Sequence, residues 1–288
     1  MATLISLKRR INAATNISKT TRAMQMIAAS RLKKAQEATL AGRPYVQKLT
    51  QLTQEASATT LDAKTHPFMK ASIEKEKTLL IVISPDKGLC GGLVTNLLKE
   101  YLAFAKNEEP SIIVLGKKLE SQVVRTSNDV IATFQFGTTL PSFSSIFPII
   151  KLIEDSYLTG KVTSVKVLYA NFESFFSQKP DVLQILPISM DSSPEVEVKN
   201  TLDDIIIEPS LEAIIPSLLK HYLEMTLYQC LLESYLSEQA ARMLAMQNAT
   251  TNAKDIIQAF KLEYNKTRQA KITSELLDIT GGRSVQTA

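Results

Sequence analysis

Tryptophan is absent from this 288-residue sequence, histidine and cysteine occur only twice each, and there are nine glycines and eleven prolines. Each scarcity removes a class of protein. Cys90 and Cys230 stand 140 positions apart, in no CxxC pair, with only His66 and His221 to supply imidazole; this excludes a zinc site or a disulfide framework and suits a reducing, cytoplasmic compartment. No apolar run approaches the roughly 18–20 residues that cross a bilayer. The longest compact one, Leu79–Ile83, has the length of a buried strand, so any membrane contact is expected only through a partner. Few glycines and prolines mean long uninterrupted elements. Acidic residues are missing where bases crowd: residues 1–50 hold ten Lys/Arg and one acid, Glu37, a net charge of +9 that leaves −5 for the rest of a chain of net +4. Such a segment calls for an anionic environment, whether nucleic acid, lipid or an acidic protein surface. The start of the chain is basic and acid-poor, as a transit peptide is. Its pattern runs on into the next 30 residues, so it reads as mature structure of a bacterial protein.

What is present falls into three segments. Leu4, Leu7, Ile11, Ala14, Ser18, Thr21, Gln25, Ala28, Leu32 and Ala35 recur in steps alternating 3 and 4, a coiled-coil seam of about four and a half heptads in which small and polar residues hold the middle. Gly42 and Pro44 suggest a kink, with helix resuming towards Thr60. From Ser217 to Thr280 no Gly or Pro occurs, and Leu232, Leu236, Gln239, Met243, Met246, Thr250, Ala253, Ile257, Phe260, Tyr264 and Thr267 repeat the alternation, with Gly281-Gly282 as the expected stop. A continuous helix of that length would be roughly 95 Å long and needs an equally long partner. The first helical segment is the simplest one. Between them the pattern turns to strands at Thr78–Ser84, Ser111–Gly116, Val165–Ala170 and, near an edge, Val182–Ile188, with helices from the Gly-rich turn to Lys106, at Lys117–Val124 and at Phe143–Tyr157. That alternation predicts a small α/β domain with a largely parallel sheet. The fold expected is α/β: an antiparallel coiled coil of long N- and C-terminal helices with an inserted Rossmann-like α/β domain. Its boundaries are residues 1–60 for the N-terminal coiled-coil helix, 77–200 for the globular docking domain and 208–288 for the C-terminal coiled-coil helix.

One loop invites a nucleotide. Asp86-Lys87-Gly88-Leu89-Cys90-Gly91-Gly92 follows the first strand and precedes a helix, where phosphates are often held. It matches neither GxGxxG nor GxxxxGK followed by Ser or Thr. The glycines read instead as a tight turn with close helix–strand contact, and Cys90 as a small buried residue. His66, His221 and the paired acids Glu108-Glu109 and Asp203-Asp204 read as structural or solvated. No catalytic, cofactor or metal site is expected. Two rivals remain open on the residues alone. One is a nucleotide-dependent α/β enzyme with helical oligomerisation arms, the other a basic coiled coil that binds nucleic acid with steep salt dependence.

The ends of the chain carry a resemblance. The stretch Ile17-Ser18-Lys19-Thr20-Thr21-Arg22-Ala23-Met24-Gln25-Met26-Ile27-Ala28, the turn Lys87-Gly88-Leu89-Cys90-Gly91-Gly92, Ser237-Glu238-Gln239-Ala240-Ala241-Arg242-Met243-Leu244-Ala245-Met246 and Tyr264-Asn265-Lys266-Thr267-Arg268-Gln269-Ala270-Lys271-Ile272-Thr273-Ser274-Glu275-Leu276 each resemble a motif of F-type ATP synthase gamma subunits, in the family's order. The resemblance implies a rotor shaft whose terminal helices turn inside a ring of alpha and beta subunits. The α/β domain would be bound to the epsilon subunit and the membrane c-ring, at the cytoplasmic face of a bacterial inner membrane. It implies neither nucleic-acid binding nor a cofactor, and the regulatory cysteine insert of chloroplast relatives is missing. Carried over by motif, Met24 and Arg242 are expected near beta-subunit loops, and Arg268, Gln269, Thr273 and Glu275 at the loops that catch the shaft.

Overall fold

The computed structural model describes residues 3–59, 66–69, 77–127, 129–188, 208 and 210–285. In chain order the elements are α1 (Leu4–Thr59), β1 (Thr78–Ile83), α2 (Leu93–Asn107), β2 (Ser111–Leu115), α3 (Lys117–Thr126), β3 (Val130–Phe134), a 3-10 turn (Phe143–Ile146), α4 (Phe147–Leu158), β4 (Ser164–Phe172), β5 (Gln178–Leu186) and α5 (Leu211–Val285). The chain divides into two compact units, Met1–Ile27 with Met243–Ala288, and Ala28–Arg242, so that α1 and α5 each contribute to both. The sequence boundaries at 60, 77, 200 and 208 fall outside or at the edges of the described residues, as does the Asp203-Asp204 pair.

In the larger unit, the five strands stand in the order β3-β2-β1-β4-β5. β1 runs parallel to β2 and β4, β2 parallel to β3, and only β5 is antiparallel, to β4. β1 and β2 are buried at every residue, which is why both read as unbroken apolar runs: a parallel strand covered on two faces needs no polar alternation. One face packs Leu79, Ile81 and Ile113 against α4 and against Leu219, Leu223 and Leu227 of α5. The other packs Leu80, Val82 and Ile112 against Leu97 and Tyr101 of α2, Leu119 and Val123 of α3, and Ala241 of α5. The sequence reading had no strand at Val130–Phe134, where β3 completes the sheet. Its residues alternate between half-buried and exposed, as suits a sheet edge. β5 begins at Gln178, earlier than Val182, and carries Pro180, which an edge strand tolerates because its missing N–H can face away from the ladder.

Each long helix differs from expectation at its glycines. α1 continues through Gly42 and Pro44 to Thr59 without a break. At Gly42 a Cβ would make only ordinary contact, 3.5 Å from the Gln229 side chain of α5, so neither space nor backbone there demands a glycine. At the other end α5 runs past Gly281-Gly282 to Val285. Glycine permits a helix stop without compelling one; retained within a helix it costs about 1 kcal/mol relative to alanine.

The smaller unit pairs the start of α1 with the last part of α5. Arg10 lies over the Phe260 ring at 5.8 Å, and Thr21 Oγ1 is 2.8 Å from Thr250 Oγ1. As α1 advances from 10 to 21, its partner retreats from 260 to 250, so the pairing is antiparallel. The seams are those of the sequence. Leu7, Ala14, Ala28, Leu32 and Ala35 on α1, and Met246, Thr250 and Ala253 on α5, are buried, and the remaining seam positions are at least partly covered.

Candidate partner-contact surfaces

The turn after β1 is held from outside itself. Leu89 has φ 63° and Gly91 φ 59°, both in the left-handed region that a leucine adopts only under constraint. Within the turn the one backbone bond is a long one, Leu93 N to the Cys90 carbonyl at 3.4 Å. Asp86 fixes the entry: its carboxylate accepts from Lys117 N at 2.9 Å and from Gly137 N. Arg242 of α5 fixes the crest, donating from Nη2 to the Lys87 carbonyl at 2.8 Å and from Nε and Nη2 to the Gly88 carbonyl at 3.3 Å each. Glu238, one helical turn earlier, holds Arg242 Nη1 at 2.6 Å, with the two side chains only 11% and 12% exposed. Burial pushes the Glu238 carboxyl above the ordinary glutamate range, against the downward pull of Arg242. What the brace presents is Leu89, 63% exposed beside exposed Lys87, Lys117 and Lys118.

Arg242 is the last of a stripe. Tyr228 Oη donates to the Pro141 carbonyl and Tyr235 Oη to the Thr138 carbonyl, each at 3.2 Å. His221, another seven residues back, lies 2.8 Å through Nε2 from Tyr45 Oη and packs edge-on to Phe143. Heptad spacing puts these side chains on one face of α5. Tyr228, Tyr235 and Arg242 bond to loops beyond the carboxyl ends of the strands, His221 to α1. In an α/β sheet of this order the switch point lies between β1 and β4, where ligands enter; here Arg242 meets the turn at that end. A cavity of about 330 Å³ opens at the opposite, amino ends of the strands, among Lys77, Glu109, Ser111 and Asp129.

Cys90 is buried, and desolvation pushes its thiol up, with Arg242 partly opposing. The tight-turn reading of the glycines holds at Gly91, whereas a Cβ at Gly92 would meet nothing within 4 Å, so close helix–strand contact is not its reason. Among the described residues no group of three His, Cys, Asp or Glu could hold a metal, and no helix is long and apolar enough to cross a membrane.

The remaining candidate residues lie on the smaller unit's helices. Met24 is 39% exposed. Arg268, Gln269, Thr273 and Glu275 are all exposed on α5. The Thr273 hydroxyl is turned back to the Gln269 carbonyl at 3.0 Å, and Glu275 lies 3.6 Å from Lys271 in a solvated pair. Arg268 and Gln269 are adjacent, so their side chains point about 100° apart round the helix. The sequence reading placed Arg242 in an interface by motif and did not foresee its bonds to the turn. Nor did it use Tyr228 and Tyr235, although their seven-residue spacing from Arg242 was there to be seen.

A sheet inserted between two seam-bearing terminal helices defines a class of α/β subunits with long helical arms. The family model described as ATP synthase matches residues 3–285. Relatives named ATP synthase gamma chain include one from Dehalococcoides mccartyi, 40% identical over 98% of both chains, and one from Legionella pneumophila, 35% identical over 98% of this chain and 99% of its own. The central stalk and c-ring assembly of Tetrahymena thermophila mitochondrial ATP synthase contains a chain that superposes with a TM-score of 0.61 at 25% identity, covering 80% of this chain and 99% of its own. The Euglena gracilis mitochondrial rotor gives 0.66 at 20% identity over 93% and 98%, a likeness of fold. The chain belongs to the ATP synthase gamma chain family, and is thus a subunit of the rotary ATP synthase.

Proposed function

We propose that this chain is the central rotor shaft of an F-type ATP synthase. It couples ion-driven rotation of the membrane ring to sequential ATP synthesis or hydrolysis at beta subunits, with no catalytic site of its own. The observation that carries this reading is the antiparallel pairing of the terminal helices through small seam residues, with the motif residues Met24, Arg268, Gln269, Thr273 and Glu275 left exposed. Helices closed on each other through Ala14, Ala28 and Ala253 leave their outer faces free to meet a surrounding ring. The exposed cations Lys8, Arg9, Arg10, Lys19 and Arg22 suit acidic loops of beta subunits. Shaft orientation then shifts the relative stability of open and closed catalytic sites. The α/β segment serves as the docking head for the epsilon subunit and the c-ring, which place the chain peripherally at the cytoplasmic face of a bacterial inner membrane.

Arg268 offers a planar fork for carboxylates, so Arg268→Ala with Gln269→Leu is expected to lower ATP-driven ion pumping relative to ATP hydrolysis in the assembled complex while the isolated chain keeps its helical content. Pumping per ATP unchanged in a complex of normal composition refutes these contacts.

A further inference from the structure

In the smaller unit two hydroxyls meet across the paired helices. Thr21 Oγ1 and Thr250 Oγ1 are 2.8 Å apart. Each also reaches a carbonyl of its own helix: Thr250 Oγ1 that of Met246 at 2.8 Å, and Thr21 Oγ1 that of Ser18 at 3.2 Å. A hydroxyl carries one proton and can also accept, so two protons serve three contacts. A carbonyl can only accept. The short Thr250–Met246 contact therefore takes the Thr250 proton, and Thr21 is the donor across the helices. The result is a directed chain from Thr21 to Thr250 to the Met246 carbonyl.

We propose that this pair is a breakable cross-helix latch, by which the two helices part and rejoin locally without stranding a donor. When the contact opens, the Thr21 proton falls back to the Ser18 carbonyl, and the Thr250 proton stays where it was. An ordinary buried hydrogen bond lacks such a fallback, and its opening leaves a group unsatisfied. Thr250 is 5% exposed, deep enough for a stranded donor to matter. The neighbouring seam supplies little to resist opening, since Ala14 and Ala253 are small and Ser18 and Gln25 are polar. This inference concerns how the two helices are joined and stands whether or not the chain turns as a shaft.

Hydrogen exchange on the full chain, read at amides of residues 14–28 and 246–257, tests it with Thr21→Val, Thr250→Val and the double variant. Loss of one net hydrogen bond corresponds to about two- to thirteen-fold faster local exchange. Because opening trades the cross-helix bond for the Thr21–Ser18 one, each single variant and the double are expected to stay below about two-fold, short of that range. Thr21→Ser with Thr250→Ser retains both hydroxyls and is expected to exchange like the parent. A valine variant that exchanges about two- to thirteen-fold faster, as loss of a bond without a fallback would give, or faster still, as a stranded donor would give, overturns the latch.

Discussion

Removing Arg242 tests whether the turn after β1 is braced through a buried charge pair. In Arg242→Ala the Lys87 and Gly88 carbonyls lose their donors, but Lys87 is exposed and Gly88 half-buried, so water can replace them. Glu238 cannot be rescued in that way: it is buried, and its 2.6 Å partner is gone. Breaking a buried pair by deleting one member costs about 3–5 kcal/mol, most of it the uncompensated charge. Glu238 can limit the cost by binding a proton. Burial already holds its carboxyl above the ordinary range with Arg242 present, and removing the opposing pull of Arg242 raises it further. A carboxyl raised on folding contributes stability that is full below its unfolded pKa and is lost as pH rises through the folded value. Arg242→Ala is therefore expected to be more destabilised at pH 8 than at pH 5. Adding Glu238→Gln removes the stranded charge, leaving a deficit of about 1.5–3 kcal/mol from the lost charge-assisted hydrogen bonds to the turn and no extra pH dependence. Urea unfolding of the full chain, followed by far-UV circular dichroism at both pH values, measures this. A double variant no more stable than Arg242→Ala, or a single variant with the same loss at pH 5 and pH 8, refutes the stranded-charge reasoning.

Two further outcomes follow from backbone and burial. Gly116 has φ 98°, and a Cβ there would stand 1.8 Å from the Ser84 carbonyl oxygen. Gly116→Ala is expected to cost about 3 kcal/mol or more, and an unchanged urea midpoint would contradict the geometry. Cys90 and Cys230 are 2% and 3% exposed and burial pushes both thiols up, so a thiol reagent at pH 8 is expected to leave both unmodified in the folded chain and to label both in urea. Rapid labelling of the folded chain would show that these sites open readily.

The helical seams were legible because a period of 3 and 4 is a local property: Leu7, Ala14, Ala28 and Ala253 announce their burial from neighbours a few positions away. The same holds for β1 and β2, whose apolar runs need no context. β3 was not legible, since Val130–Phe134 is short and only half-covered, and its assignment depends on pairing with β2. Gly281 and Pro44 misled because glycine and proline report what a backbone permits, whereas packing and helix continuity decide whether it stops. In the turn, the Glu238–Arg242 spacing was visible as an i,i+4 pair. The contact of Arg242 with Lys87 and Gly88 joins residues more than 150 positions apart, and no periodicity encodes that distance.

The stripe of Tyr228, Tyr235 and Arg242 adds a constraint that the apolar core alone cannot supply. Leu219, Leu223 and Leu227 bury α5 against the sheet, but ridges of similar apolar side chains allow several neighbouring settings of a helix about its axis. The donors of the stripe meet fixed carbonyls at Pro141, Thr138 and the turn. Advancing the helix by one residue would swing all of them by about 100° at once, and each lost bond forfeits about 1 kcal/mol. Losses of that kind fall together, so the face that α5 presents to the α/β domain has one setting. A subunit that transmits torque needs this property at the junction between helix and domain, because an azimuth free to slip would dissipate the turn before any partner felt it.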